Sequence, residues 1–499
     1  MKKMGRAFLG AGLAVSMALV SACSSGAGTG NQQAQTPSSS LAAGEPVELV
    51  LGYPVLGEVP ADIGSVEAEI NKITLRKINA KVKLSRTSVS QWAQQRNLIL
   101  AGNEHMDLFV TSFEDYERHA SKNQLLELDE LLTKEGKDIA VVLGDKLKAA
   151  KIKGHIYAIP THNFIEAGTG ILLRKDLLDR HGIDVSKIKG TNDLDAVFET
   201  MKQKENLLGV AAPNGQMPMT YAIDWLNYDP LVDSLGVLPL NSKDMKVVNL
   251  YEMPEYVEAL KKTRSWYQAG YLPKDAVNAK TAPPDLMKNG EVFSIFQSNS
   301  VFLQDSLSSI TGRQLVKVDL QKPVITTKEE LGLMWAIPRN NVKNSQKAME
   351  LLNLLYTDKE IINLINYGIE GKHYKKVSGE VISRINDSGY SMNQPFMFGN
   401  RMLTYVLEGE DPALRQEYTK FTASFQKSPA AGFLPSTEAV STEVVAVKNV
   451  LDQYRKALET GSVDPVKVHP DFVKKLKAAG IDTIIAEKQK QLDAWLAQK

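Results

Sequence analysis

The stretch from Val47 to Phe113 alternates between two hydrophobic periods, and this alternation limits the fold more than any other feature of the 499-residue chain. "VELVLGY" (47–53) sets Val47, Leu49 and Leu51 at every second position, the spacing of a strand. In "DIGSVEAEINKITLRKI" the residues Val66, Ile70 and Ile73 fall at helical spacing. "AKVKLSRT" (80–87) predicts a second strand, "SQWAQQRNLILAG" (90–102) a helix closed by Gly102, and "DLFVTSF" (107–113) a third strand. Strands and helices in strict alternation imply a parallel sheet covered by helices and joined by right-handed crossovers. Ligands of such sheets gather at the carboxyl ends of the strands. Those ends carry Gly52-Tyr53-Pro54, Ser85-Arg86-Thr87 and Thr111-Ser112-Phe113. Tyr53, Arg86, Ser112 and Phe113 are therefore candidate ligand contacts.

Further along, "HIYAIPTHNFIEAGTGILLRKDLLDRHGID" (155–184) combines extended runs, glycines and a helix ending near Gly182. It reads as the passage from a first lobe into a second, which puts His162, Asn163 and Glu166 at the floor of a cleft. "NDLDAVFETMKQKE" is an amphipathic helix (Leu194, Val197, Phe198, Met201) with Thr191 or Asn192 as its expected cap. "NGEVFSIFQSNS" (289–300) is a strand ending in amides and hydroxyls, from which Gln297 and Asn299 are candidate contacts. "GLMWAIPRN" (332–340) is another extended segment, in which Trp335 is expected to be core. In the helix that follows, Ala348, Leu351, Leu352 and Leu355 share a face; Thr357 with Glu360 is expected to cap the next helix, which stops at Gly368. The C-terminus is largely helical from about 435. Its last helix carries an apolar stripe of Ile481, Ile484, Ile485, Leu492 and Trp495, interrupted by Lys488, whose stem is expected to lie along the stripe with its ammonium in water.

The N-terminus sets the address. Lys2, Lys3 and Arg6 precede an apolar run to about Ala22, the order of a secretory signal. "LVSACSS" (19–25) then holds the only cysteine of the chain, Cys23, and resembles a bacterial lipobox, in which the thiol is acylated and the peptide is cut before it. The resemblance implies a lipid anchor on Cys23; two acyl chains suffice for stable anchoring. Residues 24–45 are rich in Ser, Gly, Gln and Thr and form a flexible tether. No later stretch offers the roughly eighteen consecutive apolar residues of a spanning helix. Lysine and arginine (59) nearly cancel aspartate and glutamate (58), so no bulk field draws the chain to nucleic acid.

Short catalytic motifs are missing: there is no G-x-S-x-G, H-E-x-x-H, P-loop or G-x-G-x-x-G after a strand. The seven histidines have no partners at zinc spacing, and no EF-hand spacing is visible. No cofactor, no metal and no catalytic residue is expected. What stands out is aromatic rings in polar surroundings. "MPMTYAIDWLNYDP" (217–230) offers Tyr221, Asp224 and Trp225, and "MNQPFMFGNR" (392–401) offers Gln394, Phe396, Phe398, Asn400 and Arg401. Flat rings with planar amides and carboxylates suit sugars, which have an apolar face and a hydroxyl rim. Tyr221, Asp224 and Trp225 complete the candidate set.

Three segments carry a family resemblance: "NLLYTDKEIINLINYGIEGKHY", "TGILLRKDLLDRHGID" and "AAGIDTIIAEKQKQLDAW". With the lipobox and the alternating pattern, the chain resembles the family 1 extracellular solute-binding proteins of ATP-binding-cassette importers, in particular the lipoprotein subfamily of Gram-positive bacteria. The resemblance implies an α/β, two-lobed periplasmic-binding-protein-like fold, each lobe a mostly parallel sheet covered by helices, with the ligand cleft at the hinge. The expected division is lobe 1 at 46–165 with a return segment at about 301–370, and lobe 2 at 166–300 with the C-terminal part at about 371–499. The implied function is capture of a carbohydrate, an oligosaccharide by preference, for permease subunits, by a monomer without enzymatic activity. The alternatives are a membrane-anchored glycoside hydrolase and a surface solute sensor.

Overall fold

The computed structural model describes residues 44–498 apart from 56–58, 164–166, 213–226, 242, 299, 301–302, 322, 391, 393, 411 and 424. Cys23, Glu166, Tyr221, Asp224, Trp225 and Asn299 thus lie outside the described residues. Residues 45–499 form one unit.

The alternation at 47–113 folds as its periods require. Strands Val47–Val55, Ala80–Ser88 and Leu108–Ser112 are parallel neighbours, with Leu51 opposite both Leu84 and Leu108. The first strand lies inside the sheet and is buried on both faces from Leu51 to Val55, as parallel strands covered by helices are. Helix Ile63–Ile78 buries Val66, Ile70 and Ile73 and ends on Asn79 in the left-handed conformation, with Arg76 and Lys77 in its last turn. Leu333–Ala336 and Ala158–Pro160 complete the sheet, in the order 80–88, 47–55, 108–112, 333–336, 158–160. The 333–336 strand runs antiparallel to both of its neighbours. The second sheet has the order 315–319, 169–174, 292–298, 208–210, and its 169–174 strand is antiparallel to both neighbours. Both sheets are therefore mixed rather than mostly parallel, because strands that enter after crossing from the other half run in the reverse sense.

Two large cores follow the two sheets. The first gathers residues from Leu49 to Ile159 and from Leu331 to Phe398; the second gathers residues from Ile171 to Val318 and from Val440 to Ile484. The expected boundaries move accordingly. Helix Leu303–Thr311 and strand Leu315–Asp319, expected in the return segment of the first lobe, pack on the second sheet through Leu307 and Leu315. Tyr390, Met392, Met397 and Phe398, expected in the second lobe, belong to the first core. Trp335 is fully buried there, its Nε1 donating to Met397 O at 2.8 Å.

Local capping differs from expectation in two places. Asp358, not Thr357, caps helix Lys359–Tyr367: its Oδ1 accepts from Glu360 N (2.9 Å) and Ile361 N (3.1 Å). Thr357 is still the last residue of the preceding helix and donates back to Asn353 O at 2.9 Å, leaving the extended Asp358 as the cap. Thr191 and Asn192 form a short turn with Asp193, whose Oδ2 accepts from Lys189 N (2.8 Å) and Gly190 N (3.0 Å) before helix Leu194–Glu205 begins.

Lys488 is the largest departure. It is 3% exposed, and its ammonium faces inward, donating to the Asp233 carboxylate and to the carbonyls of Leu231 (3.3 Å) and Gly236 (3.2 Å). These partners sit in a turn where Leu231 (φ 45°), Val232 (φ 81°) and Ser234 (φ 61°) are all left-handed. A β-branched residue in that region is strained, and the ammonium supplies the bonds that hold it.

Candidate functional site

The carboxyl ends of the first sheet form one rim. Ser112 stands opposite Leu333, Phe113 N donates to Gly332 O at 3.0 Å, and Thr161 N donates to Leu333 O at 2.9 Å. His162 and Asn163 continue from Thr161 and are fixed by the 399–401 segment. His162 N donates to Gly399 O (2.8 Å), Arg401 N donates to His162 O (2.9 Å), and Arg401 Nη1 donates to Asn163 Oδ1 (3.1 Å). Lys146 Nζ donates to Thr161 O at 2.9 Å. Burial pulls the Lys146 ammonium down to about 8 and, with the charge of Lys146 beside it, the His162 imidazole down to about 4. His162 is thus a neutral hydrogen-bonding ring at neutral pH.

Among the described residues, three stretches pass between the halves next to this rim: 161–163 with 167–168, 320–321 with 323–326, and 425–436, residue 424 lying outside the described set. Leu320 N donates to Thr169 O (2.9 Å), Gln426 N to Pro323 O (3.2 Å) and Ser428 N to Ile325 O (2.8 Å), so the three are stitched side by side. Gly168 (φ 74°) is needed here, since a Cβ would lie 3.0 Å from Pro323 Cα. The second sheet turns its own rim to these stretches: Gln297 and Ser298, half-buried, pair with Gly170 and Thr169.

A cavity of 340 Å³ beside the first rim is lined by both halves, with Phe113 as the rim residue in its wall. Phe113, Glu114 and Asp115 come from the first, and Val232, Asp233 and Lys448 from the second. Burial, and secondarily the neighbouring Asp115, push the Glu114 carboxyl above its ordinary range. Val232 and Leu434 also pack against the first core, so the strained turn held by Lys488 is in contact with the opposite half. The cavity is of ligand size and joins an aromatic ring to charged groups of both signs.

The structure brings Ser112, Phe113, His162 and Asn163 to one rim and Gln297 to the facing one. Tyr53, expected at that rim, is instead fully buried, its ring edge-on to Phe398 at 4.9 Å. Arg86 is on the edge strand, donating to Leu84 O (2.9 Å) with Glu67 of the covering helix 3.8 Å away. Most of the 392–401 block is spent on the first core: Gln394 is buried and donates to Pro54 O at 2.8 Å. The sequence reading missed Glu114, Val232 and the 434–448 segment; the available signal was the paired valines Val444 and Val445 at the start of helix Ser441–Glu459, Val445 being solvent-facing. Among the described residues, Glu127, Asp129 and His155 are near enough to share a cation, but Glu127 and His155 face solvent, Asp129 Oδ2 already accepts from Ile156 N at 2.9 Å, and His155 Nδ1 already pairs with Glu127 at 3.0 Å.

Two α/β halves joined by neighbouring strands, with a ligand-sized cavity lined by both, are the architecture of a hinged binding protein. The chain belongs to the bacterial extracellular solute-binding proteins, whose profile matches residues 70–367. A domain of unknown function matches residues 429–497. A carbohydrate ABC transporter substrate-binding protein of Streptococcus pneumoniae is 31% identical over 457 residues, covering 89% of this chain and 90% of the relative. The crystal structure of the N-glycan transport solute binding protein NgtS from the same organism superposes with a TM-score of 0.81 at 26% identity, covering 90% of this chain and 99% of that one. The same protein in complex with Man5GlcNAc gives a TM-score of 0.75 at 27% identity, over 91% and 99% of the two chains. The described residues contain no helix long and apolar enough to cross a membrane.

Proposed function

We propose that the protein is the capture subunit of an ATP-binding-cassette importer, anchored outside the cell by lipid on Cys23, and that it closes on an oligosaccharide without altering it. The observation that carries this reading is the cavity lined by Phe113 and Glu114 from one half and by Val232, Asp233 and Lys448 from the other. An empty cleft of this kind gains little from closing, because its polar groups lose water. A ligand that contacts both faces makes closure favourable, and its differential affinity for the closed form sets the population shift. Ser112, Phe113, His162, Asn163 and Gln297 are the contacts assigned from the described rims; Glu166, Tyr221, Asp224, Trp225 and Asn299 are assigned from the sequence. Carbohydrate as the ligand class is supported by the names of the relatives, and permease subunits as partners by the family.

The test is thermal denaturation of the purified protein against a panel of neutral glycans that includes Man1GlcNAc and Man5GlcNAc, followed by mass analysis of the recovered ligand. A bound glycan raises the melting temperature, by about 2.7 kcal/mol of stabilisation at a hundred times Kd, and is recovered whole. A cleaved product would make the protein a glycoside hydrolase. Cys23→Ser is expected to move the protein from the membrane fraction to the medium or to leave its leader uncut; unchanged retention of a processed protein would contradict the lipid anchor.

A further inference from the structure

A second cavity, of 670 Å³, shares no lining residue with the first and includes none of the assigned rim contacts. Its walls are Asp145–Gly154 of the first half, Lys427–Gly432 of a crossing stretch, and Trp495 and Gln498 at the end of the last helix. Gly432 (φ 91°) is where these parts meet: a Cβ there would stand 3.4 Å from Ala149 Cβ and 3.9 Å from the Trp495 ring. The ring is half-buried and tilted against Phe433 at 5.6 Å.

The charge around this cavity is one-sided. Lys148, Lys151, Lys153 and Lys427 line it against the single carboxylate of Asp145, in a chain whose net charge is only +1. Lys148 pairs with Asp145 and Lys427 with Glu330, whereas Lys151 and Lys153 have no acidic partner among the described residues. Both stand on a hairpin in which Ile152 pairs with His155 across Lys153 and Gly154. Two-residue hairpin turns with both residues left-handed favour Asn-Gly or Asp-Gly. Here Lys153 occupies the first position at φ 51°. Residues in disfavoured backbone regions cluster at functional sites, and the cation that Lys153 adds is part of the cavity lining.

We propose that this cavity is a second binding site, for a small anion of sugar size, whose ring lies on Trp495 and whose carboxylate is taken by Lys151 and Lys153. The volume suits one or two sugar rings, the indole offers the flat apolar wall that a pyranose face requires, and Gln498 adds an amide at the edge. The concave wall separates this site from a flat basic surface suited to a membrane. It gives the 429–497 region, whose family profile carries no function, a role as one wall of a binding site.

The test uses the purified protein titrated with glucuronate, with glucose and inorganic phosphate as controls, read by calorimetry and by tryptophan fluorescence. Glucuronate is expected to bind saturably and to change the fluorescence of the wild type but not of Trp495→Phe, with glucose about ten-fold weaker or more, as befits loss of a charge-assisted bond. The double variant Lys151→Ala/Lys153→Ala, both positions solvent-facing and so tolerant of change, loses about ten-fold or more in glucuronate affinity, and Lys151→Arg/Lys153→Arg retains it. Equal affinity for glucose and glucuronate, phosphate bound as tightly as glucuronate, no saturable binding of glucuronate, or binding only to phosphatidylglycerol vesicles would each overturn the proposal. Neutral-glycan binding in the cleft is measured on the same variants, so failure here and failure of the capture reading are told apart.

Discussion

Each half of the molecule withdraws one lysine from solvent beside the cleft, Lys488 fully and Lys146 in part, and the two are treated in opposite ways. Lys146 of the first half offers its ammonium to the Thr161 carbonyl, and burial lowers its affinity for the proton to about 8. Lys488 of the second meets a carboxylate and two carbonyls and holds a turn with three left-handed non-glycine residues. A buried cation bonded to a carboxylate fixes structure; one bonded to a carbonyl, with the Glu330 carboxylate acting on it only through its charge, becomes a group that pH can switch. The first rim is thus tuned by protonation and the second by a charge-assisted clamp.

The sharpest way to break this contrast is Lys488→Met. It leaves Asp233 and the 231 and 236 carbonyls without their donor, and removal of one partner of a buried pair costs about 3 kcal/mol or more. Urea denaturation measures the loss. A change below about 1 kcal/mol would mean that the turn holds itself.

The next effect is on the acid side. His162 stays neutral in the fold down to about 4, whereas an unfolded histidine takes its proton near 6.5. Between those values the unfolded state binds more protons, so stability falls as pH drops from about 6.5 to 4, by about 1–2 kcal/mol. His162→Gln is expected to flatten that limb of the stability profile relative to wild type; an identical limb would remove His162 from the account. The smallest effect is alkaline. Lys146 loses its proton near 8 when folded and near 10.5 when unfolded. Stability of the wild type relative to Lys146→Met therefore rises by about 1 kcal/mol across that window. A difference flat with pH would show that the ammonium is solvated.

The same contrast explains what could be read in advance. The first sheet was legible because strand and helix periods alternate over a continuous run, and short-range pattern is enough to place Leu51, Val66 and Leu108. Of the second sheet only the 292–298 strand was legible, since the 208–210 strand has three residues and the reversed sense of 169–174 is set by partners more than a hundred residues away. The Asp358 cap was missed by one position, as helix ends usually are. The inward turn of Lys488 depends on Asp233, 255 residues earlier, and no local pattern announces that pairing. Strand ends and the lobe passage selected Ser112, Phe113, His162, Asn163 and Gln297, which the fold sets on two facing rims. Strand-end logic also selected Tyr53, which lies inside the core because its strand is interior to the sheet and buried on both faces as far as Val55. The facing wall, Val232 and 434–448, arrives from two separate parts of the chain that share no motif.

The central claim is that two halves close on a small solute between them. Small-angle scattering of the protein alone and saturated with a glycan that raises its melting temperature tests it directly. The account predicts a smaller radius of gyration with the glycan bound; an unchanged radius under saturation would contradict it.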